Sequence, residues 1–374
     1  MLTVIIVLVI FSVLILIHEA GHLFAAKRAG ICVEIFSLGM GQKLFGVKIG
    51  ETEYRLSLFP FGGYCKMLGE DPNDAKGLPN EMFSKSVGSR FWVIVSGALT
   101  NYIFAFLLFW VIFMMGAPTV TNKVGDLLEG YPAKNAGIEK GDRIVSINGI
   151  KTVYWEDILS ATKDESLKNN VLKIEVERNG NNKTFDITPS LSECKNIFGQ
   201  SIKKPLLGVA PQNEILHVSY NPAQALYFAG QKLLGLTAMT YKMLGLILTG
   251  GVSAKNSLSG PIGIVYFIKE AAHMGFIPVL LVTAHLSMAL AIFNLLPFPI
   301  LDGGHIIFLL IEKIKGSPLS IRIQEILTNA AFVLLISFVL FVSWHDALKF
   351  TPLGKFLKLE TKSTQRTTDG IAQK

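Results

Sequence analysis

Long apolar stretches, separated by polar segments, dominate the hydrophobic pattern of this chain. Four of them contain no Asp, Glu, Lys or Arg over about the 20 residues that a helix needs to cross a bilayer. The pattern therefore predicts a polytopic α-helical membrane protein with four transmembrane helices. The four stretches are Leu2 to Ile17, Phe91 to Asn122, Ala271 to Leu301 and Ile326 to Trp344.

Residues 31–68 show a strand pattern, because apolar and polar residues alternate there over short distances. The alternating apolar residues are Val47, Ile49, Tyr54, Leu56 and Leu58. This pattern predicts a β-hairpin, and we expect Gly62 and Gly63 to form its turn. An ordinary surface hairpin without a functional role is the alternative.

Residues 118–212 also differ from the apolar stretches, with alternation in Val171 to Glu177 and turn signals near Asn179. The segment Tyr131 to Gly149 resembles the core of a PDZ domain, and Leu207 to Val209 is similar to a returning strand. Such a module accepts an extended peptide at an exposed sheet edge. The alternative is that the glycines of this segment are ordinary turn residues.

Composition and charge narrow the class of protein. The chain has 374 residues, of which 50% are hydrophobic and 17% charged, and a formal net charge of +7. These values exclude a disordered or ordinary soluble protein. Because the basic residues are scattered and no stacking aromatic array accompanies them, we expect no nucleic-acid partner. The three cysteines form no C-x-x-C pair, so the sequence indicates neither a disulfide framework nor a thiolate metal site.

Basic residues also predict the orientation in the membrane. Lys27 and Arg28 follow the first apolar stretch, and further basic residues precede the second, so the positive-inside rule assigns this loop to the cytoplasm. Residues 118–212 are then outside, and Lys313 and Lys315 mark a second inner loop. The basic tail at 349–374 is expected outside against this rule, because later charges usually weigh less.

The strongest chemical motif is H-E-x-x-H at the end of the first apolar stretch. On a helix, His18 and His22 share one face, so their imidazoles can bind one Zn²⁺ ion, and Glu19 lies beside them as a candidate general base. Ionisable residues within a membrane are costly unless they are paired, so they mark a functional site by default. A structural polar network, or a group of side chains that reaches the interface at the helix end, is the alternative.

A third zinc ligand is expected because catalytic zinc sites usually use three protein ligands and leave one position open. Asp302 is the only acidic residue between Glu270 and Glu312, and it follows a long apolar run. Pro297 and the glycines after Asp302 predict a broken helix that lines a protein cavity. Taken alone, Asp302 could equally cap a helix that begins near Gly303. The presence of the H-E-x-x-H motif favours the ligand role.

These motifs resemble those of the site-2 protease family of intramembrane zinc metalloproteases, peptidase family M50, and in particular its bacterial RseP-type branch. In that family, H-E-x-x-H on the first span and N-x-x-P-x-x-x-L-D-G on a later span complete the zinc site. Here they are His18 to His22 and Asn294 to Gly303. Further matches are Glu53–Tyr54, Pro60 to Met67, Phe83 to Ser86, Arg90, Gly97 to Asn101 and Ser259 to Gly263. The chain departs from the two-PDZ members in having a single recognisable PDZ segment.

The resemblance implies a zinc endopeptidase that cleaves single-pass membrane proteins, such as anti-sigma factors or signal-peptide remnants, within or near their transmembrane segment. It implies His18, His22 and Asp302 as ligands of Zn²⁺ and Glu19 as the general base. Asn294 is a candidate donor to the substrate backbone or oxyanion. The hairpin that contains Gly62 and Gly63 is expected to associate with membrane lipid and to hold an unwound substrate strand at its edge.

A fifth apolar stretch, residues 226–250, contains Lys232 and Lys242. The position of the zinc site in the membrane indicates whether this stretch crosses the bilayer. If this stretch crossed the membrane, Asp302 would emerge on the face opposite His18. We therefore expect an amphipathic helix in the outer interface. The predicted organisation begins with a membrane core at 1–117 and an extracytoplasmic PDZ domain at 118–212 that binds a peptide C-terminus. A connector with the interfacial helix at 213–270, two further spans at 271–348 and the tail follow. We expect the protein in a bacterial inner membrane.

Two other classes of protein remain as alternatives. A metal-ion transporter also carries intramembrane His and Asp residues. In this chain, however, His273, His285 and His345 have no acidic residue three or four positions later. A catalytically inactive PDZ scaffold is the second alternative, but a scaffold would not need Glu19.

Overall fold

The computed structural model describes residues 2–71, 75–162, 170–195, 201–253 and 258–350. The predicted tail beyond Phe350 lies outside these residues. The helices are α1 Leu2–Arg28, α2 Val87–Met115, α3 Pro132–Asn135, α4 Trp155–Ala161, α5 Pro222–Leu248, α6 Pro261–Met274, α7 Phe276–Asn294, α8 Asp302–Lys315 and α9 Ile321–Phe350. The strands are β1 Val33–Ile49, β2 Thr52–Met67, β3 Ala117–Val120, β4 Val124–Leu127, β5 Arg143–Ile147, β6 Ile150–Lys151, β7 Leu172–Arg178, β8 Asn181–Ile187, β9 Ser190–Lys195, β10 Ser201–Leu206, β11 Val209–Pro211 and β12 Ile215–Val218.

Two compact units make up the chain. The helical unit consists of Met1–Val111, Phe228–Ala238 and Leu258–Lys374, and the strand-rich unit consists of Ile112–Tyr227 and Met239–Ser257. Among the described residues, four helices, namely α1, α2, α7 and α9, are long and apolar enough to cross a membrane. The prediction of a polytopic membrane protein is confirmed at this level. The helix α5 is not one of the four.

The four spans differ from the predicted stretches at their ends. Helix α1 continues beyond Ile17 to Arg28, so the H-E-x-x-H motif lies within the helix. The second predicted stretch is too long, because helix α2 ends at Met115 and the chain continues as strand β3. The third stretch is divided, since Gly275 adopts a φ of 119° between α6 and α7.

The strands β1 and β2 form an antiparallel sheet in the helical unit, but the predicted turn is wrong. The chain turns between Ile49 and Thr52, which pair with each other, and Gly62 and Gly63 lie inside β2. The first half of β1 lies between the two halves of β2 and pairs with both of them. Phe36, for example, is opposite both Tyr54 and Cys65. The second half of β2 therefore forms an outer edge of this sheet.

Buried side chains join this sheet to the helices α1 and α2. The cluster combines residues from the end of α1, the start of β1, the end of β2 and the start of α2. Its buried members are Leu23, Ala26, Ile31, Val33, Phe36, Cys65, Met67 and Val93. Burial raises the pKa of the Cys65 thiol to about 12, so Cys65 is a protonated, apolar member of this cluster at neutral pH.

The helices α6 and α9 are joined by a carboxylate that replaces a helix cap. The N-cap residue of α6 is Gly260, which has no side chain, and the backbone N–H of Gly263 donates instead to Asp346 Oδ2 at 2.7 Å. Asp346 belongs to α9 and is only 1% exposed. Because the first N–H groups of a helix lack internal acceptors, this contact stabilises the start of α6 from a neighbouring helix.

The strand-rich unit contains a four-stranded sheet with the order β6-β5-β7-β8 and several two-stranded pairs. Its core is apolar, and Ile144, Leu172 and Ile174 are completely buried. Arg178 on β7 is paired with Asp142, through Nε–Oδ1 and Nη2–Oδ2 contacts of 2.6 Å each. The segment that we compare with a PDZ core forms α3, β5 and the turn at Asn148–Gly149, where both residues have positive φ.

Candidate active site

Three potential ligand atoms from two helices converge in the helical unit. His18 and His22 lie one turn apart on α1, and their Nε2 atoms are 3.3 Å apart. Asp302, the first residue of α8, brings its Oδ2 atom to 3.3 Å from His18 Nε2 and 3.7 Å from His22 Nε2. The three ligand atoms all lie within 4.8 Å of one another.

The donor set fits a zinc ion. Oδ2 of Asp302 is buried and accepts no hydrogen bond from the described residues, which is costly for a carboxylate unless a cation compensates. Two imidazole nitrogens and one carboxylate oxygen are ligands that Zn²⁺ uses in catalytic sites. A single divalent cation placed between the three ligand atoms would contact all of them and offset the cost of burying the Asp302 charge.

The start of α8 is shaped to place Asp302. The N-cap residue of this helix is Leu301, and no side chain caps the helix, so Asp302 does not have the capping role considered above. A Cβ atom on Gly303 would be 2.1 Å from the carbonyl oxygen of Leu296. A Cβ atom on Gly304 would be 2.3 Å from the carbonyl oxygen of Phe298. Two residues without side chains are therefore needed for the chain to reverse tightly before the helix.

Helices α1 and α2 approach closely at two glycines. A Cβ atom on Gly21 would be 2.4 Å from the Ser96 carbonyl oxygen. A Cβ atom on Gly97 would be 2.3 Å from His22 Nε2 and 2.8 Å from a ring carbon of His18. The space for both imidazoles therefore depends on a glycine in the facing helix, as in other close helix contacts within membranes.

Glu19 lies beside the two histidines, against strand β2. A Cβ atom on Gly63 would be 3.4 Å from Glu19 Cγ and 2.9 Å from Ile15 Cγ2. Glu19 and the three potential ligands line one cavity of about 610 Å³, together with Tyr64 of β2. The outer edge of the sheet and the carboxylate therefore face the same space.

The remaining predicted residues have different positions. Asn294 Nδ2 is 3.5 Å from both ring nitrogens of His18, so it lies beside the cluster without a close hydrogen bond. Gly62 has a φ of 101° and faces the side chain of Met40, whereas Gly63 lies against Ile15, with Glu19 slightly further away. At the level of the sequence, Asn101 is included only as the end of the segment Gly97 to Asn101, which resembles the protease family, and it is assigned no role. It lies 3.3 Å from His18 Nδ1, and its polar amide inside an apolar stretch is the signal that indicates this position.

The fold and the site together define a class of protein. Apolar helices carry an H-E-x-x-H motif, and an aspartate from another helix completes a three-ligand cluster, as in an intramembrane metalloprotease. The chain belongs to peptidase family M50, whose sequence pattern matches residues 6–338.

Individual relatives agree with this assignment. A protein of Campylobacter jejuni, named as a candidate zinc metalloprotease, is 34% identical over 340 residues, which cover 90% of this chain and 91% of that protein. A protein of Clostridium perfringens with the same kind of name is 34% identical over 341 residues, covering 91% and 97% of the two chains. The regulator of sigma E protease of Haemophilus influenzae is 31% identical over 442 residues, covering 91% and 98%.

Two conclusions follow from the comparisons. The chain is a zinc metalloprotease that acts within the membrane. The alignment with the Haemophilus protein is also longer than this whole chain, so that protein contains residues without a counterpart here.

Proposed function

We propose that His18, His22 and Asp302 hold the zinc ion and that Glu19 is the general base of peptide hydrolysis. The observation that carries this proposal is the convergence of the three ligand atoms within 4.8 Å, beside Glu19 in the same cavity. When bound, zinc supplies a Lewis acid for the scissile carbonyl and for the attacking water.

The residues of the chain divide the remaining work. Glu19 takes a proton from the attacking water and returns it to the leaving nitrogen as the peptide bond breaks. Asn294, close to His18, donates to the substrate carbonyl as negative charge develops on its oxygen. The surrounding apolar helices limit access of bulk water, which strengthens these electrostatic interactions.

The substrates are single-pass membrane proteins, and the second half of β2 binds them. Peptide bonds in an intact transmembrane helix are hydrogen-bonded internally and are difficult to attack. An edge strand offers unpaired backbone groups to an unwound segment, and the edge that contains Gly63 borders Glu19. Anti-sigma factors are one candidate class, since one relative is named a regulator of sigma E protease. Signal-peptide remnants are another.

We also propose that the strand-rich unit contains a PDZ domain, that it lies outside the cytoplasm and that it receives a peptide C-terminus. The helix α5 would lie in the outer interface, with Lys232 and Lys242 directed to lipid headgroups. The membrane would be the bacterial inner membrane. The basic loop between α1 and α2 supports this orientation.

The test is cleavage of a model single-pass substrate by the purified full-length protein in detergent. We expect one cut within or near the transmembrane segment, loss of cleavage after zinc removal by a chelator, and recovery when zinc is restored. The Glu19→Gln variant is the matched control for contaminating proteases. Cleavage that resists the chelator, or that persists in Glu19→Gln, would contradict the proposed site.

A further inference from the structure

The two histidines of the cluster both direct their second ring nitrogen toward α2. His22 Nδ1 lies 2.8 Å from the backbone carbonyl oxygen of Val93. A carbonyl oxygen can only accept, so this contact requires a proton on His22 Nδ1. The neutral ring then has its lone pair on Nε2, the atom that faces Asp302, as a metal ligand needs.

On α2, the side chain of Asn101 lies beside His18 Nδ1, while Asn294 Nδ2 of α7 is further from the same atom, at 3.5 Å. The Asn101 amide lies 3.3 Å from His18 Nδ1, and Asn101 is completely buried. With Nδ2 toward the ring, Oδ1 of Asn101 is buried and has no partner among the described residues. Rotating the amide by half a turn exchanges the two atoms. Oδ1 then accepts a hydrogen bond from His18 Nδ1–H, and Nδ2 takes the buried position that Oδ1 leaves.

The exchanged arrangement also agrees with the chemistry of the cluster. If Asn101 donated to Nδ1, the neutral His18 ring would carry its proton on Nε2, only 3.3 Å from both His22 Nε2 and Asp302 Oδ2. That proton would occupy the Nε2 lone pair that binding of the metal ion requires. An accepting amide leaves Nε2 free, as the Val93 carbonyl does for His22.

The backbone of Asn101 is held by a third element. Ser287 of α7 donates from Oγ to the Asn101 carbonyl oxygen at 2.8 Å, and Ser287 is completely buried. Because both ends of this contact are excluded from water, the backbone of α2 at Asn101 is held independently of His18.

We propose that Asn101 is a positioning residue, whose Oδ1 accepts the Nδ1 proton of His18 and thereby fixes the ring and its tautomer for metal binding. This inference rests on the proposed role of His18 as a zinc ligand. Partners of this kind, which contact a ligand rather than the metal, typically change metal affinity by about 10- to 100-fold when they are removed.

The experiment measures zinc affinity of the purified full-length protein by competition with a chromophoric chelator. Asn101→Leu, which removes both amide atoms at similar volume, should weaken zinc binding about 10- to 100-fold. Asn101→Asp in its ionised form can accept but not donate, so it should bind zinc at least as tightly as the native protein. Zinc binding weakened equally in both variants would show that Asn101 acts as a donor and would overturn the proposal. Unchanged affinity in Asn101→Leu would also overturn it.

Control variants distinguish the Asn101 amide from its neighbours and from the metal site itself. Tyr102→Phe removes the hydrogen bond between Tyr102 and Thr237 one residue further along α2, and should leave zinc affinity unchanged. If Asn101→Leu does not fold, Asn101→Ala replaces it in the comparison with Asn101→Asp. His18→Ala tests the underlying assignment: retained zinc in that variant would refute the proposed metal site, whereas loss there with full affinity in Asn101→Leu would refute only the inference about Asn101.

Discussion

Arg90 and Glu312 form a bidentate ion pair although they are 222 residues apart in the chain. Arg90 Nη1 donates to Glu312 Oε2 at 3.0 Å, and Nη2 donates to Oε1. The two side chains are only 6% and 16% exposed, and the Arg90 guanidinium also lies over the Phe83 ring. Since Arg90 is at the start of α2 and Glu312 near the end of α8, the pair ties the histidine-facing helix to the helix that begins with Asp302.

Breaking this pair should destabilise the protein strongly. Glu312→Gln leaves the buried Arg90 charge without its partner, a change that typically costs about 3–5 kcal/mol. Thermal unfolding of the detergent-purified protein measures the effect. Asp126→Asn is the matched control, because the Lys140–Asp126 pair is 72% and 82% exposed and such pairs contribute about 0–1 kcal/mol. Equal shifts in the unfolding temperature of both variants would contradict a structural role of the buried pair.

Glu19→Gln should separate catalysis from metal binding. The amide cannot take a proton from water, so we expect peptide cleavage to fall by about 10²- to 10⁴-fold, the usual contribution of general acid–base catalysis. Zinc content should remain close to that of the native protein, because Glu19 is not one of the three converging ligand residues. Cleavage rate and bound zinc are measured on the same preparation. A substantial loss of zinc would instead assign Glu19 to the metal site.

Asp302→Asn tests Asp302 as a zinc ligand separately from any effect on helix stability. Asn is as good a cap as Asp, and even complete loss of a cap costs only about 1 kcal/mol. A metal ligand is more sensitive, so we expect zinc affinity to fall by more than about 100-fold, beyond the effect of losing a partner outside the metal shell. Chelator competition gives the affinity, and thermal unfolding reports any loss of helix stability. Native zinc affinity in this variant would exclude Asp302 from the ligand set.

The sequence predicts the catalytic cluster better than it predicts the groups that hold the histidines in place. His18 and His22 can be related to each other because helix geometry fixes residues four apart on one face. Asp302 can be recognised because an isolated acid after an apolar run is costly unless it is paired, and such residues usually mark a functional site. The polar Asn101 stands out in its apolar stretch, but the contacts of Asn101 and of the Val93 carbonyl with the histidines cannot be predicted in this way. They depend on how α1 packs against α2. No local pattern encodes that packing.

Local pattern also fails where backbone geometry is unusual. Gly62 and Gly63 indicate a turn by composition, but the chain turns at Gly50, and the pair instead allows β2 to pass close to other groups. The second predicted span is too long because Ala117–Val120 is uncharged, although it forms a strand that pairs with β12. Charge alone therefore marks where a span is permitted, while tertiary pairing determines where the helix ends.

Asp142 should make the strand-rich unit sensitive to acid. Burial would raise its pKa, but the hydrogen bonds from Arg178 and from the Glu139 backbone outweigh burial and lower the pKa below its usual value. A lowered folded-state pKa gives stability that is present above the unfolded-state value, about 3.9, and is lost as pH falls through the folded-state value. Hydrogen exchange of β5 and β7 should therefore lose protection below about pH 4.

The control for this pH dependence is Asp142→Asn, which cannot ionise. We expect lower protection than in the native protein near neutral pH, because the charged partner of Arg178 is lost, and a smaller further loss on acidification. Comparing the two proteins at each pH removes the intrinsic pH dependence of exchange. Parallel pH profiles would show that Asp142 contributes nothing to acid sensitivity.

The orientation of the chain can be tested with single cysteines in a background that lacks Cys32, Cys65 and Cys194. If residues 226–250 do not cross the membrane, Asn181→Cys in the strand-rich unit and Ser253→Cys after α5 should both react with a membrane-impermeant thiol reagent from outside. Lys315→Cys, at the end of α8, should react only after the membrane is opened. A cysteine at Lys315 also avoids the backbone strain that one would have at the next residue, Gly316, whose φ is 79°.

The expected labelling follows from the cost of lysine in a bilayer. Lys232 and Lys242 would each cost about 2.5–3.5 kcal/mol at the centre of a membrane, whereas in the interface they can contact headgroups. Protection of Ser253→Cys, or labelling of Lys315→Cys from outside, would indicate a crossing by α5. Such a crossing would put the start of α8 at the opposite membrane face from the inner end of α1. That arrangement is incompatible with the 3.3 Å contact between Asp302 and His18, so the labelling pattern tests the proposed zinc site as well as the topology.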